Sequence, residues 1–273
     1  MIRYSGLAFL AALALGSASA RADLSLVGHS AIDAFGTPLS SQERVWVRGT
    51  AVRRDFTDRG RAITHLFDLA TRQAMIVDHF TRTAEVHDLA ALDAATEASA
   101  PSGRLKLTFE PTGATRPLQH WTCREHALAA SVPTRLGNEE TVFHLTGRIW
   151  LAQGVPEQAA VRPVVEAAAR PGFFLAVPAV ARVAPAYAQV MSEVLRKLAP
   201  QGLPCAGEVA GTHEGGGPMA NLARKLPSRV RLEFQQFSSD PVRPELFDLP
   251  VGYQKIPARL PAPPVTAPGM PAR

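Results

Sequence analysis

Apolar and polar residues alternate with a period of two through most of the first 110 positions, and turn residues interrupt the alternation at short intervals. Leu24 and Leu26 open a strand that reaches Ile32. Residues 43–54 read as one extended apolar stretch, ended by a turn at Asp55, Asp58 and Gly60. Residues 61–69 place Ile63, Phe67 and Leu69 on one face, and 73–80 and 83–89 continue the meander. The Ala-rich stretch 89–98 fits a short helix or a loop equally well. Residues 104–110 alternate cleanly, with Leu105, Leu107 and Phe109 inward. Around Trp150, Phe143, Leu145, Ile149 and Leu151 share one face, and near the end Val230, Leu232 and Phe234 oppose Arg229, Arg231, Glu233 and Gln235. Such alternation is the mark of antiparallel strands with one wet and one dry face.

Between the last two of these strands the period lengthens. Residues 185–198 put Tyr187, Val190, Met191, Val194, Leu195 and Leu198 on one helical stripe, with Gln189, Ser192, Glu193, Arg196 and Lys197 opposite. Glu193 and Lys197 stand in the favourable i,i+4 order, and Pro200 and Gly202 stop the helix. A second helix is expected over 157–170, where Pro163 demands a kink or a late start. The connector 172–178, with Phe173 and Phe174, is unusually apolar. His213 to Pro218, with three consecutive glycines, reads as a mobile loop. Residues 257–273 are rich in Pro and Ala without periodicity and are expected to be disordered or polyproline-like.

Composition narrows the class. The chain has 273 residues, 46% hydrophobic and 19% charged, which suits a globular fold with a sizeable core and no multi-span membrane protein. Its formal charge is +5, but the basic residues are mostly scattered Arg, with Lys only at 106, 197, 225 and 255. No phosphate-tracking stripe is visible, so no nucleic-acid partner is expected.

The first 20 residues read as an export signal. Arg3 precedes an apolar run from Leu7 to Leu15, and Ala18-Ser19-Ala20 offers a cleavage site, with Ala20-Arg21-Ala22 a second register. The run is too short to span a bilayer, and no Cys lies near the cleavage site to carry a lipid. The expected product is periplasmic or secreted, a single domain over 21–256 with a tail over 257–273. In an oxidising compartment Cys123 and Cys205 most economically form one disulfide; two buried thiols and a metal pair are the alternatives. Neither has a second Cys or a His at zinc-ligand spacing.

Motifs for chemistry are missing. The Gly triplet lacks the Lys-Ser/Thr of a phosphate loop, and His213-Glu214 lacks the second His of a zincin. No Gly-x-Ser-x-Gly elbow is present. His65 sits on the apolar face beside Ile63 and Phe67 and reads as a hydrogen-bonded core residue. Asp78-His79 and His87-Asp88 could approach across a hairpin, but neighbours on a strand point to opposite faces and cannot chelate together. A non-enzymatic protein with no metal and no cofactor is expected. Two readings remain open for the apolar run 173–177 and the Tyr187, Met191 and Leu195 stripe. They form ordinary core beneath a sheet, or they form a lid over an incompletely filled cavity that takes lipid-like ligands.

The C-terminal Leu246-Phe247, Pro250, Gly252-Tyr253 and Lys255 resemble the LF-x-x-P-x-G-Y-x-K ending of an exported bacterial family of unknown function. Trp121-Thr122-Cys123 and the run from Gly147 to Ala152 resemble that family's Cys-containing strand and its G-x-x-W-x-A strand. The resemblance spans residues 60–256. It implies a fold similar to the LolA and LppX lipoprotein carriers: an α+β protein whose strongly curved antiparallel sheet, an unclosed barrel, has a helical lid on its concave face. The helical insert here is longer and Ala-rich, and no LolA functional residue can be placed. The resulting expectation is a carrier of a lipid or lipoprotein acyl chain, with Trp150, Phe173, Phe174, Tyr187, Met191 and Leu195 lining the site. The rival expectation is a cell-envelope interaction module with a filled core, binding a protein partner.

Overall fold

Asp68 and Asp78 close two successive hairpins in the same way. Each carboxylate accepts backbone N–H groups two and three residues on, and Arg72 and Arg82 then take left-handed backbone angles (φ 55° and 54°) to re-enter the next strand. The computed structural model describes residues 23–34, 37–97, 105–136, 139–175, 185–225 and 228–258. The signal segment, most of the tail and part of the apolar connector therefore lie outside the described residues.

The first half is a meander of β1 (Leu24–Ala34), β2 (Thr37–Arg48), β3 (Ala51–Asp58), β4 (Arg61–Asp68), β5 (Gln73–Asp78) and β6 (Thr83–Asp88). Helix α1 (Leu89–Glu97) follows at once, with Asp88 accepting the Ala90 and Ala91 N–H groups as its cap. Then come β7 (Lys106–Leu118), β8 (Trp121–Leu136) and β9 (Glu139–Ala152). Helices α2 (Gln158–Ala168), α3 (Pro171–Leu175) and α4 (Pro185–Leu198) precede β10 (Leu203–Glu214), α5 (Pro218–Lys225), β11 (Ser228–Ser238) and β12 (Gln254–Pro257).

Among the described residues all twelve strands join one sheet, in the order β12-β6-β5-β4-β3-β2-β1-β11-β10-β9-β8-β7. Every pairing is antiparallel except β12 with β6. The edge strands β7 and β12 do not pair, so the curved sheet stays open. Bulges between Val27 and Gly28, Pro204 and Ala206, and Pro111 and Thr115 add local twist. Pro111 and Pro117 in edge strand β7 remove ladder donors, which discourages further strand addition.

Register sets the inner face of the first half. Leu24, Val47, Val52, Phe67, Ala74 and His87 are successive cross-strand partners. All six are buried, and the first five pack with Leu89 and Leu92 of α1, Ala160 and Val161 of α2, and Phe173 and Phe174 of α3. In the second half Val190, Val194 and Leu198 of α4 pack on Leu128, Val132, Phe143, Leu145 and Leu151. Burying one such aliphatic side chain contributes roughly 1.5–3 kcal/mol. Cys123 and Cys205 form a disulfide that ties β8 to β10, the two strands flanking β9, with both residues fully buried.

The other face of β4–β6 is closed by the C-terminal segment. Leu249 and Tyr253 pack on Leu66, Val77 and Ala84. The Tyr253 hydroxyl meets His79 Nδ1 at 2.7 Å, His79 Nε2 meets the Thr64 hydroxyl at 2.8 Å, and Thr64 donates to Asp55. The Leu246 carbonyl accepts from Arg53. The segment from Leu246 to Tyr253 thus covers the outer face of β3–β6.

Several expectations change. The stretch 43–54 is two strands, because Gly49 (φ 58°) supplies a turn with Thr50. Residues 89–97 are helical. His213 and Glu214 belong to β10, with His213 buried against Phe143, so the loop begins only at Gly215 and gives way to α5. Pro257 pairs in β12 and the Ala258 N–H reaches the Val86 carbonyl, so the tail begins later than expected. His79 and His87 do not converge: His79 faces Tyr253 while His87 lies on the inner row.

Candidate ligand-binding site

Where the β2–β3 and β4–β5 turns meet α1, α2 and α3, they leave a half-open cavity of about 280 Å³, with the exposed Glu166 and Arg170 at its mouth. Leu69, Leu89, Pro163 and Phe173 supply apolar wall, and Arg72, Asp93, Glu166 and Arg170 supply charge. Asp93 organises this corner: its carboxylate pairs with Arg72 and accepts the Gly172 N–H at 2.6 Å, joining the turn, α1 and α3. A volume of this size falls just short of small-molecule pockets, which run from roughly 300 Å³ upward.

From the cavity wall a line of rings runs along the inner face. Phe173 stacks on Phe67 with centroids 4.7 Å apart, Phe67 meets His65 edge-on at 6.1 Å, and His65 meets Phe56 at 4.8 Å. The Arg54 guanidinium lies over Phe56, 4.5 Å from its centroid. Arg54 then grips Glu43 through two hydrogen bonds of 2.6 and 2.9 Å, and Ser30 donates to the same carboxylate. Glu43 is 1% exposed, so this ion pair is held out of water on at least one side.

His65 and His87 are the electrostatic anomalies of the inner face. Both are buried, and none of their four ring nitrogens has a hydrogen-bond partner among the described residues. Burial, then the positive charge of Arg54 and the proximity of His87, hold His65 well below the usual imidazole range. Burial lowers His87 too, partly offset by Glu85, whose carboxylate lies 3.6 Å away. Among the described residues no group of three or more His, Cys, Asp or Glu is placed to hold a metal ion.

The residues expected to line a site are divided. Phe173 lines the cavity, and Phe174 and Trp150 pack beside it against the same core. Trp150 also carries Arg116 over its ring at 4.6 Å. Met191 and Leu195 lie elsewhere, packed against the core under α4. Tyr187 belongs to α4, and its side chain lies outside the described residues. Sequence reading missed Leu69, Leu89, Arg72 and Asp93, which come from a turn and a helix start. His65 stood out as a hydrogen-bonded core residue, but its ring has no hydrogen-bond partner among the described residues.

No described helix is long and apolar enough to cross a membrane. No family model and no curated protein matches the chain. Among solved structures, one similar chain is a Vibrio parahaemolyticus domain described as a candidate outer membrane lipoprotein-sorting protein. It is 6% identical, covers 84% of this chain and 90% of its own, and superposes with a TM-score of 0.30.

Proposed function

We propose that this chain is an exported, non-catalytic binding protein for an apolar or amphiphilic ligand, such as a lipid or a lipoprotein acyl chain. Helices α1 to α3 act as a lid on the concave face of the open sheet, in the manner of the LolA-like carriers. The cavity beneath them carries the reading, since it combines hydrocarbon walls at Leu69, Leu89 and Phe173 with a charged rim at Arg72, Asp93 and Arg170. Such a lining suits a molecule with one apolar and one polar end. The buried disulfide supports export to an oxidising compartment, the periplasm or beyond. The test is mass spectrometry of lipids extracted from protein purified without detergent. A lipid at near one per chain is expected; an empty extract, with no saturable uptake of a fluorescent fatty-acid probe, would end the carrier reading.

One observation favours a second reading. Met191 and Leu195 join a cluster that the chain fills with its own side chains. An envelope interaction module with a filled core would look the same there, and it would bind a protein partner in place of lipid.

A further inference from the structure

Buried polar atoms in folded proteins nearly always find partners, and each exception calls for an explanation. Among the described residues, four of the seven such side-chain atoms belong to two histidines of the inner face, and the others are single atoms of Asp33, Trp121 and Glu157. His65 is fully buried in the middle of the inner face, both of its ring nitrogens lack a partner among the described residues, and His87 repeats the situation two strands away. The remaining polar groups nearby are already committed. Arg54, the direct cross-strand partner of His65, spends two donors on Glu43, and Glu43 also accepts from Ser30. The charges of Arg54 and Glu43 therefore cancel, with one donor and one acceptor of a neutral imidazole left over. His65 does not line the cavity; the packed rings of Phe67 and Phe173 stand between the two.

We propose that His65 is the polar seat of the ligand, hydrogen-bonding a neutral linkage such as an ester carbonyl or a hydroxyl, while the hydrocarbon lies along Phe67 and Phe173 toward the cavity. This rests on the carrier reading above and specifies its ligand class. A carboxylate headgroup fits badly, because Arg54, the cation beside His65, is neutralised by Glu43 and the Glu85 carboxylate lies near His87. An anion buried there would have no counter-charge. A neutral ester carbonyl, accepting from the ring N–H, or a hydroxyl, bonding either ring nitrogen, carries no such penalty and satisfies one of the two orphaned nitrogens.

The experiment measures displacement of a fluorescent fatty-acid probe by monooleoylglycerol and by oleate, in the parent protein and in His65→Leu and His65→Gln. The parent should prefer the neutral lipid by about five- to tenfold, the worth of one buried hydrogen bond. His65→Leu should lose that preference yet still take up the probe, and His65→Gln, which keeps a donor and an acceptor, should retain most of it. Because His65→Leu could fail to fold, 15N NMR of the parent supplies a second readout. The His65 ring nitrogens, assigned with the Gln variant, should shift on addition of monooleoylglycerol. Equal preference in parent and His65→Leu, or an unmoved ring signal at saturation, would overturn the seat while leaving the carrier reading standing. The absence of both probe uptake and any effect of monooleoylglycerol on the parent's ring signals would overturn the seat and the carrier reading together. A lone buried water on His65 would give unchanged ligand preference, and so counts against the seat.

Discussion

The Gly172 N–H donates to the Asp93 carboxylate at 2.6 Å, and the two helices that carry these residues touch there backbone to backbone. A Cβ on residue 172 would stand 2.5 Å from the Leu89 carbonyl oxygen and 3.0 Å from the Asp93 nitrogen. Those atoms belong to the first turns of α1 and cannot yield without moving the helix. Gly172→Ala should therefore lower stability by about 1–3 kcal/mol, the usual cost of overpacking. It should also weaken probe binding, because Leu89, Asp93 and Phe173 line the cavity. Denaturant melts paired with probe titration check both effects; an unchanged melt would show that the α1–α3 contact is looser than described.

The Cys123–Cys205 bond closes a loop across a sequence separation of 82. Cys205→Ser should cost about 2–5 kcal/mol in a denaturant melt under oxidising conditions. Adding reductant to the unfolded parent should bring it to the same level. Non-reducing peptide mapping should find the two cysteine peptides joined, and two free thiols in exported protein would contradict the pairing.

Glu43 and Arg54 form a largely buried ion pair, with side chains 2% and 28% exposed. Removing only the cation, in Arg54→Met, leaves a buried carboxylate with Ser30 as its remaining partner, and should cost about 3–5 kcal/mol. Replacing both, in Glu43→Leu with Arg54→Met, should recover most of that loss. If the double variant is as unstable as the single one, the charge itself is not what matters and packing on Phe56 takes its place.

Acid should destabilise the fold before the carboxylates titrate. Burial holds His65, His87 and His213 below the ordinary imidazole value, so the native rings stay neutral where the unfolded chain protonates near pH 6.5. Between the lowered native values and about 6.5 the unfolded state binds more protons, and stability falls as pH falls. Each such histidine contributes a slope of up to about 1.4 kcal/mol per pH unit. Urea midpoints should drop between pH 7.5 and pH 5.5, and the drop should shrink in His65→Leu. Equal midpoints in the parent would refute the neutral, buried rings.

The hairpins β4–β6 were legible because their strands alternate; the Asp-x-x-Thr-Arg turns that recur ten residues apart between them went unread. β8 and β10 were not. β8 buries the adjacent Glu125 and His126 and then runs through small alanines, and β10 mixes Ala206, Gly207, Ala210 and Gly211 with a bulge. Neither leaves a period of two to read. The cavity was hidden for a different reason. Leu69, Leu89, Asp93 and Phe173 meet only through long-range packing, and Phe173 alone stood out by its apolar neighbours. His65 was visible as a histidine on an apolar face, but the absence of a partner is a property of three dimensions.

The claim that the cavity between α1, α2 and α3 holds the ligand is tested most directly by filling it. Ala167 lies on its α2 wall, and Ala167→Trp would occupy much of the roughly 280 Å³ with an indole. The measurement is titration of a fluorescent fatty-acid probe into the parent and the Ala167→Trp protein, with melting temperatures recorded for both. A binding cavity predicts saturable uptake by the parent and a Kd raised by about tenfold or more in the variant, with the melting temperature unchanged or higher. Identical probe affinity in the two proteins would place the ligand elsewhere, and contradict the account.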